Sequence, residues 1–150
     1  LFIVKFSGSI IGIHELFKNS STLKTVELPK SLTTIEYNSF MGCNSLIGIT
    51  IPNSVTTIGQ NAFQSCTSLT NIIIPNSVTS IGGLAFNGCK NLKIITVLST
   101  TPPELGNYVF YQDFQSILPD FMIYVPSGSV NYYKNATNWA DYASRIQAIP

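Results

Sequence analysis

The side chains best able to do chemistry in this 150-residue chain are three thiols, Cys43, Cys66 and Cys89, evenly spaced along it. Thiols ligate metals, attack electrophiles or pair as disulfides, and each use imposes its own spacing. Structural zinc sites bring cysteines in close C-x-x-C pairs beside further Cys or His ligands. No such pair occurs, and the single histidine, His14, lies far from all three thiols. An odd count also leaves one thiol over in any intramolecular disulfide scheme. The expectation is therefore three buried free thiols acting as small hydrophobes, with a disulfide or a metal site as lesser readings. General acid–base chemistry has less to work with. The seven carboxylates are scattered, with Glu15, Glu27 and Glu36 early and Asp113, Asp120 and Asp141 late, and a serine nucleophile would have one histidine to choose from. Gly82-Gly83 follows a short apolar segment without a phosphate-cradling pattern, so it reads as a bend. No catalytic residue, metal or cofactor is expected, and the chain does not read as an enzyme.

The regular spacing of the thiols points instead to the elements that carry them. SLTTIEYNSFMGC (31–43), SVTTIGQNAFQSC (54–66) and SVTSIGGLAFNGC (77–89) are three copies of one unit. Aligning 31–53, 54–76 and 77–99 gives eight columns: Leu32/Val55/Val78, Ile35/Ile58/Ile81, Ser39/Ala62/Ala85, Phe40/Phe63/Phe86, Cys43/Cys66/Cys89, Leu46/Leu69/Leu92, Ile49/Ile72/Ile95 and Ile51/Ile74/Val97. Residues 8–30 make a degraded fourth copy, with Phe17, Leu23, Val26, Leu28 and Pro29 in column and Ser20 where Cys belongs; Ile10-Ile11-Gly12-Ile13 fits poorly. A fixed period of this length signals a stacked repeat architecture.

One unit can be read locally. In LTNIIIP (69–75), Leu69, Ile72 and Ile74 point inward along a strand that Pro75 ends. Pro75-Asn76-Ser77 supplies a turn, and Val78 to Gly82 a second short β segment with Val78 and Ile81 turned in. LAFNGC (84–89) is too short for a free helix and suits a single helical or 3₁₀ turn. Burial within one unit cannot offset the entropy of ordering it, so the units must stack, each side chain on its equivalents above and below.

Composition narrows the function classes. Charged residues are only 10% of the chain and none lies between Tyr37 and Cys89, where hydroxyls and amides solvate the surface instead; this suits an extracellular protein of stacked β structure. A net charge of +1 without clustered Lys or Arg gives nucleic acid nothing to bind. No apolar run approaches a membrane span. The opening LFIVKFS is short, carries Lys5 and lacks a cleavage pattern, so it is not read as a signal peptide, and a start at Leu1 fits a mature form or a fragment.

The pattern L-xx-I-x-IP-xSVT-x-IG-xxAF-xxC, best at residues 69–89, resembles the 23-residue leucine-rich repeats of BspA-like surface proteins, which are bacterial and also found in some parasitic protists. TPPELGNYVF (101–110) resembles a degenerate last repeat, and MIYVPSGSVNYYKNATNWADYASRI (122–146) the terminal strand and helical cap of such proteins. The resemblance implies a right-handed leucine-rich repeat solenoid with a C-terminal helical cap. Residues 1–100 would hold about four repeats and 101–150 the degenerate repeat and cap, in one continuous domain. It further implies a secreted or cell-surface module of adhesion type that binds protein, such as extracellular-matrix or cell-surface proteins of a host, with no catalytic residues.

A cap is also required physically, because a solenoid must cover its exposed end. Aromatics crowd the C-terminal third: Tyr108, Phe110, Tyr111, Phe114, Phe121, Tyr124, Tyr132, Tyr133, Trp139 and Tyr142. They are expected mostly to lid the last coil, with a carbohydrate-stacking patch of Tyr132, Tyr133 or Trp139 as the alternative. Ser127 or Ser129 would N-cap a helix through Tyr133, and Trp139, Tyr142 and Ile146 would share one face of a second helical stretch.

A protein-binding surface has concrete candidates. With Leu69, Ile72 and Ile74 inward, Thr70, Asn71 and Ile73 face out; Ile47, Gly48 and Thr50 are equivalent on the coil before, and Lys93, Ile94 and Thr96 on the coil after. Ile47, Ile73 and Ile94 sit on adjacent coils in an uncharged field and would form a modest apolar patch, although branched residues also simply stabilise strands. The site is expected at Ile47, Thr50, Thr70, Asn71, Ile73, Ile94 and Thr96. A structural spacer of a larger surface protein is the competing reading, for which a uniformly polar outer face is expected. Thr33, Thr56 and Thr79 are expected to form a hydroxyl ladder rather than a ligand site. Asn19-Ser20-Ser21 and Asn135-Ala136-Thr137 are glycosylation sequons that matter only in a eukaryotic source.

Overall fold

The computed structural model describes residues 3–4, 6, 9–113 and 116–150; Lys5 of the apolar opening, Gly8 at the head of the degraded copy and Phe114 of the expected cap aromatics lie outside them. Eleven strands are assigned among the described residues: β1 (Ile3–Val4), β2 (Gly12–Ile13), β3 (Thr25–Val26), β4 (Thr34–Ile35), β5 (Thr57–Ile58), β6 (Asn71–Ile74), β7 (Ser80–Ile81), β8 (Ile94–Val97), β9 (Glu104–Leu105), β10 (Met122–Val125) and β11 (Ile146–Ala148). Most are very short, because each coil needs only one inward side chain per pass before it turns. Every assigned ladder is parallel, since each coil brings the chain back in the same direction.

The first sheet runs β2-β4-β5-β7-β9 and the second β11-β10-β8-β6, with β1 and β3 as a separate pair. In the first sheet Ile13, Ile35, Ile58, Ile81 and Leu105 stack inward while Thr34, Thr57, Ser80 and Glu104 line the outside. In its centre the register advances by one full repeat, Thr57 on Ser80. At the N-terminal end the advance is one position short of a repeat, Gly12 on Thr34, which places Ile13 under Ile35. Asn38 then donates to Glu15 from a full repeat away, so one residue is missing beside His14. That deletion is why Ile10 to Ile13 fits the period poorly. At the other end Ser80 sits on Glu104, one position more than a repeat, so the stretch before Glu104 carries an insertion.

The core follows the expected columns. Phe17, Phe40, Phe63, Phe86 and Phe110 form one stack of rings, with centroids 5.1, 5.2, 5.2 and 5.7 Å apart and the central pairs within 3–4° of parallel. Beside it Cys43, Cys66 and Cys89 are free and buried, and each thiol donates to a carbonyl of the preceding coil, of Phe17, Phe40 and Phe63 respectively, at 3.0–3.1 Å. Burial pushes the Cys43 thiol up to about 12. Cys66 is raised by the neighbouring Cys89 thiol and by burial. Neither is a thiolate near neutral pH, so neither is a nucleophile or metal ligand there.

The expected helical turn is different in kind. Met41 N and Cys43 N donate to Asn38 O and Phe40 O, as a 3₁₀ turn would. Asn38, Phe40 and Gly42 instead donate sideways to Gln60, Ala62 and Gln64 of the next coil. The alternation needs left-handed backbone at two columns: Glu15, Asn38, Asn61, Leu84 and Tyr108 in one, and Asn19, Gly42, Ser65 and Gly88 in the other. Gly82 is not a bend glycine either. A Cβ there would run into Gln60 N of the neighbouring coil, and at Gly59 it would lie 2.7 Å from the Glu36 carbonyl carbon, so these glycines permit close stacking. The threonine ladder is also built on backbone: Thr33, Thr56 and Thr79 hydroxyls donate to Ile11, Thr33 and Thr56 carbonyls.

The left-handed column carries a side-chain ladder, Asn61 donating to Asn38 Oδ1 at 3.1 Å and Asn38 to Glu15 at 2.7 Å. Leu84 ends it, at φ 61°, and leaves the buried Asn61 Oδ1 without a hydrogen-bond partner. Leu84→Asn is expected to stabilise the protein by about 1–2 kcal/mol, by easing the backbone and supplying the missing donor. Urea denaturation checks this; an unchanged or lower midpoint would count against the ladder.

The cap closes the C-terminal end. A 3₁₀ turn (Ser127–Ser129) leads into α1 (Val130–Asn135), and a second 3₁₀ stretch (Ala140–Arg145) leads into β11 beside β10. Neither Ser127 nor Ser129 caps α1 through its side chain; Ser129 is buried, and its amide donates to Pro126 O. Trp139 and Tyr142 do turn inward together, but the helical stretch stops at Arg145, so Ile146 reaches the core from a strand. The buried polar tips are satisfied by the last coil: Trp139 Nε1 donates to Pro103 O at 2.7 Å, Tyr133 Oη to Ser99 O at 2.8 Å, and Tyr142 Oη accepts from Phe110 N at 3.3 Å. Trp139 and Tyr133 are fully buried edge to face, so they offer no sugar-stacking surface; of the three aromatics in that alternative only Tyr132 is exposed, at 67%.

Candidate functional site

The second sheet's outward face is set by strand alternation. In β6 Ile72 and Ile74 are buried and Asn71 and Ile73 exposed; in β8 Ile95 and Val97 are buried, Ile94 is exposed and Thr96 half-buried. The ladder places Asn71 beside Ile94 and Ile73 beside Thr96. Thr70 is exposed just before β6, and its carbonyl accepts from the Lys93 and Ile94 amides. Asn71, Ile73, Ile94 and Thr96 are thus true neighbours.

Ile47 and Thr50 are exposed as expected but lie on a segment that is not a strand. Ile47 N donates to Lys24 O, and 48–51 join neither neighbouring ladder. Gly48 is the physical reason. It stands where Asn71 and Ile94 stand on later coils, and a Cβ there would meet nothing within 4 Å, so no side chain packs the strand against its neighbours. Ile49 is accordingly only partly buried. A cleft of about 560 Å³ opens beside this segment, and Ile47, Thr50, Asn71 and Ile73 all line it. A second, of about 680 Å³, lies between this coil and the one before, lined among others by Val26, Leu28, Ile51 and Pro52.

Ile47, Ile73 and Ile94 are 54%, 57% and 44% exposed. They occupy three different columns, so the patch is staggered rather than a single stacked stripe. Sequence reasoning missed its continuation. β10 pairs with β8, setting Met122 beside Ile94 and Tyr124 beside Thr96, both half-buried. The signal was present in MIYV (122–125), whose alternation with buried Ile123 and Val125 turns Met122 and Tyr124 outward. What was missing is the knowledge that this strand joins the same sheet. The resulting surface is apolar and hydroxyl-rich, with Lys24 and Lys93 exposed at its margin.

Nothing on this face suggests bond chemistry. Among the described residues no group of three or more His, Cys, Asp or Glu could hold a metal ion, and no helix is long and apolar enough to cross a membrane. His14 sits on the other side of the first coil, 3.5 Å from Glu36 and stacked on Tyr37. Hydrogen bonds from Lys18 and Asn38 hold the Glu15 carboxyl below its usual range.

Comparison with known proteins bears on the same features. A family model described as BspA type leucine rich repeat region matches residues 4–117 in six copies. No curated protein matches the chain. Similar solved structures include a leucine-rich repeat protein from Bacteroides ovatus, 22% identical over 82% of this chain and 39% of its own, with a TM-score of 0.61. The T. pallidum leucine rich repeat protein is 33% identical over 67% of this chain and 56% of its own, at 0.55. The pneumococcal vaccine antigen PcpA is 22% identical over 97% of this chain and 39% of its own, at 0.67. The chain thus spans well under two thirds of the length of each.

Proposed function

Since the chain belongs to the BspA type leucine rich repeat family, we propose that it is a non-enzymatic, protein-binding module of adhesin type, borne by a secreted or cell-surface protein. Its partner is a host extracellular-matrix or cell-surface protein. The observation that carries this reading is the staggered apolar surface of Ile47, Ile73 and Ile94, continued by Met122 and Tyr124 and bordered by Lys24 and Lys93. A spacer needs a polar outer face, and exposed branched residues on three successive coils work against one. Protein interfaces favour such a composition: an apolar centre with aromatic and Met side chains, depleted of charge. The pneumococcal neighbour is a vaccine antigen, which accords with exposure at a cell surface.

The test compares wild type with the triple variant Ile47→Lys, Ile73→Lys, Ile94→Lys against a panel of purified matrix glycoproteins by surface plasmon resonance. All three side chains are solvent-facing, so the melting temperature should change little. At least one matrix protein should bind wild type and lose tenfold or more in affinity with the variant, equivalent to about 1.4 kcal/mol. Equal binding by both, or binding to none, would sink the proposal.

A further inference from the structure

We propose that the loop after β8 and the first turn of the cap form a second site, which binds a neutral saccharide against the open ring of Tyr132. The cleft between them measures about 570 Å³ and is lined by Thr100, Thr101, Pro102, Gly128, Ser129 and Tyr132. Ligand pockets usually span about 300–1,000 Å³. The site does not rest on the protein-binding reading, since none of these residues belongs to the apolar face.

Three observations meet in this cleft. Tyr133 on α1 turns into the core, which leaves Tyr132 beside it facing solvent. Its ring packs on no other aromatic ring among the described residues, so a whole face is open to a ligand. Ser129 is 3% exposed, yet its side chain caps no helix and makes no other hydrogen bond among the described residues. A buried hydroxyl without a protein partner is uncommon and calls for water or a ligand; Ser129 lines the cleft, so its partner comes from there. Gly128 is the third. A Cβ there would meet nothing within 4 Å and its backbone is not left-handed, so neither packing nor strain demands glycine. What its missing side chain does is keep the cleft open.

The wall opposite Tyr132 is already fixed. Ser99 Oγ donates to Thr101 O at 2.7 Å and accepts from Thr101 N at 3.3 Å, while Ser99 O accepts from the buried Tyr133 Oη at 2.8 Å. This ties the loop to the cap and presents exposed Thr100 and Thr101 with half-buried Pro102. A pyranose matches such a lining. Its C–H face packs on an aromatic ring, and its hydroxyls find partners in serine and threonine hydroxyls, each able to donate and accept.

The same lining disfavours other ligands. No Asp, Glu, Lys or Arg lines the cleft, so a charged ligand would find no counter-charge. A polyproline segment docks along a groove lined by several aromatics, and this cleft offers one open ring.

Saturation-transfer NMR tests this with glucose, galactose, mannose and N-acetylglucosamine at millimolar concentration, and with N-acetylneuraminic acid and a proline hexapeptide as contrasts. At least one neutral sugar should bind. Its affinity should fall tenfold or more in Tyr132→Ala and in Gly128→Leu, both exposed changes, the second of which fills the cleft. Tyr132→Phe keeps the ring and should bind within about threefold of wild type, as stacking requires. Ser129→Ala should weaken binding as well. The triple Ile-to-Lys variant should bind the sugar normally, so failure here and failure of the protein-binding face are distinguishable. No neutral sugar bound, binding that survives both Tyr132→Ala and Gly128→Leu, or preferential binding of the proline peptide or the acidic sugar would each overturn the proposal.

Discussion

Phe63→Ala is expected to cost about 4 kcal/mol of folding free energy. Phe63 has no solvent exposure and stacks on Phe40 and Phe86 at 5.2 Å on both sides, nearly parallel to each. Truncating a buried Phe to Ala removes its transfer free energy and leaves a cavity, together about 3–5 kcal/mol. Each ring pair lost is worth roughly 0.5–1.5 kcal/mol beyond area alone. The neighbours cannot easily close the gap, because Phe40 and Phe86 are held by their own coils, which hydrogen bond sideways at Phe40 N and Phe86 N, to Ala62 O and Val109 O. Phe17→Ala should cost less. Phe17 stacks on one ring, Phe40, and meets Phe6 edge-on, and it retains 7% exposure. Because stacked repeats are coupled mainly to nearest neighbours, Phe63→Ala should also broaden the urea transition. Equilibrium denaturation followed by circular dichroism checks both; a loss below about 1.5 kcal/mol, under half of what a buried Phe normally costs, would mean that the ring stack is not what couples the coils.

Alkaline pH should unfold the protein well before it affects a typical domain. The Cys43 thiol is pushed up to about 12 by burial, and Cys66 is raised by the neighbouring Cys89 thiol and by burial. Burial likewise raises the Tyr133 and Tyr142 phenols. In the unfolded chain thiols lose their protons near pH 9 and phenols near 10. Between those values and the native ones the unfolded state binds fewer protons than the native state, so unfolding free energy falls as pH rises. Each such group removes up to about 1.4 kcal/mol per pH unit. The stabilisation is complete below pH 9 and is lost progressively above it, first through the thiols and then through the phenols, for a total of several kcal/mol by about pH 11. Melting temperatures at pH 8, 9, 10 and 11 test this, with Cys43→Ser expected to flatten the first part of the decline. A constant melting temperature across that series would show that the ladder of thiols can ionise inside the coil.

Much of the fold was legible because stacking leaves a periodic trace. A side chain that packs on its own equivalents must keep its type, so Phe40, Phe63 and Phe86, or Cys43, Cys66 and Cys89, mark buried positions without any propensity argument. The same reasoning separated Ile72 and Ile74 from Ile73, since alternation along a strand assigns the faces. It failed where a coil changes length. One missing residue beside His14 restores Ile13 to the Ile35 column at a shortened step, and a fixed period cannot show that. It failed again in the turns, where a short apolar segment suggests helix but Asn38 and Gly42 take left-handed backbone and bond to the next coil. In the cap, no period exists. Spacing alone could not tell that Trp139 and Tyr133 would be buried, donating to the Pro103 and Ser99 carbonyls, while Tyr132 stayed exposed.

By itself, then, the sequence determined the leucine-rich repeat solenoid, the identity of its core columns and which residues of Leu69–Ile74 face outward. These are local and repeated consequences of burial, and each copy states them again. The tertiary structure alone decided how those outward residues meet. Gly48 keeps Ile47 and Thr50 out of the ladder and opens a cleft beside Ile73, while β10 carries Met122 and Tyr124 into the same face from far beyond Ile94 in the chain. It also brought Thr100 and Pro102 beside Ser129 and Tyr132. Such neighbours depend on which strands pair and where the cap docks, and those contacts between distant segments leave no periodic mark on the chain.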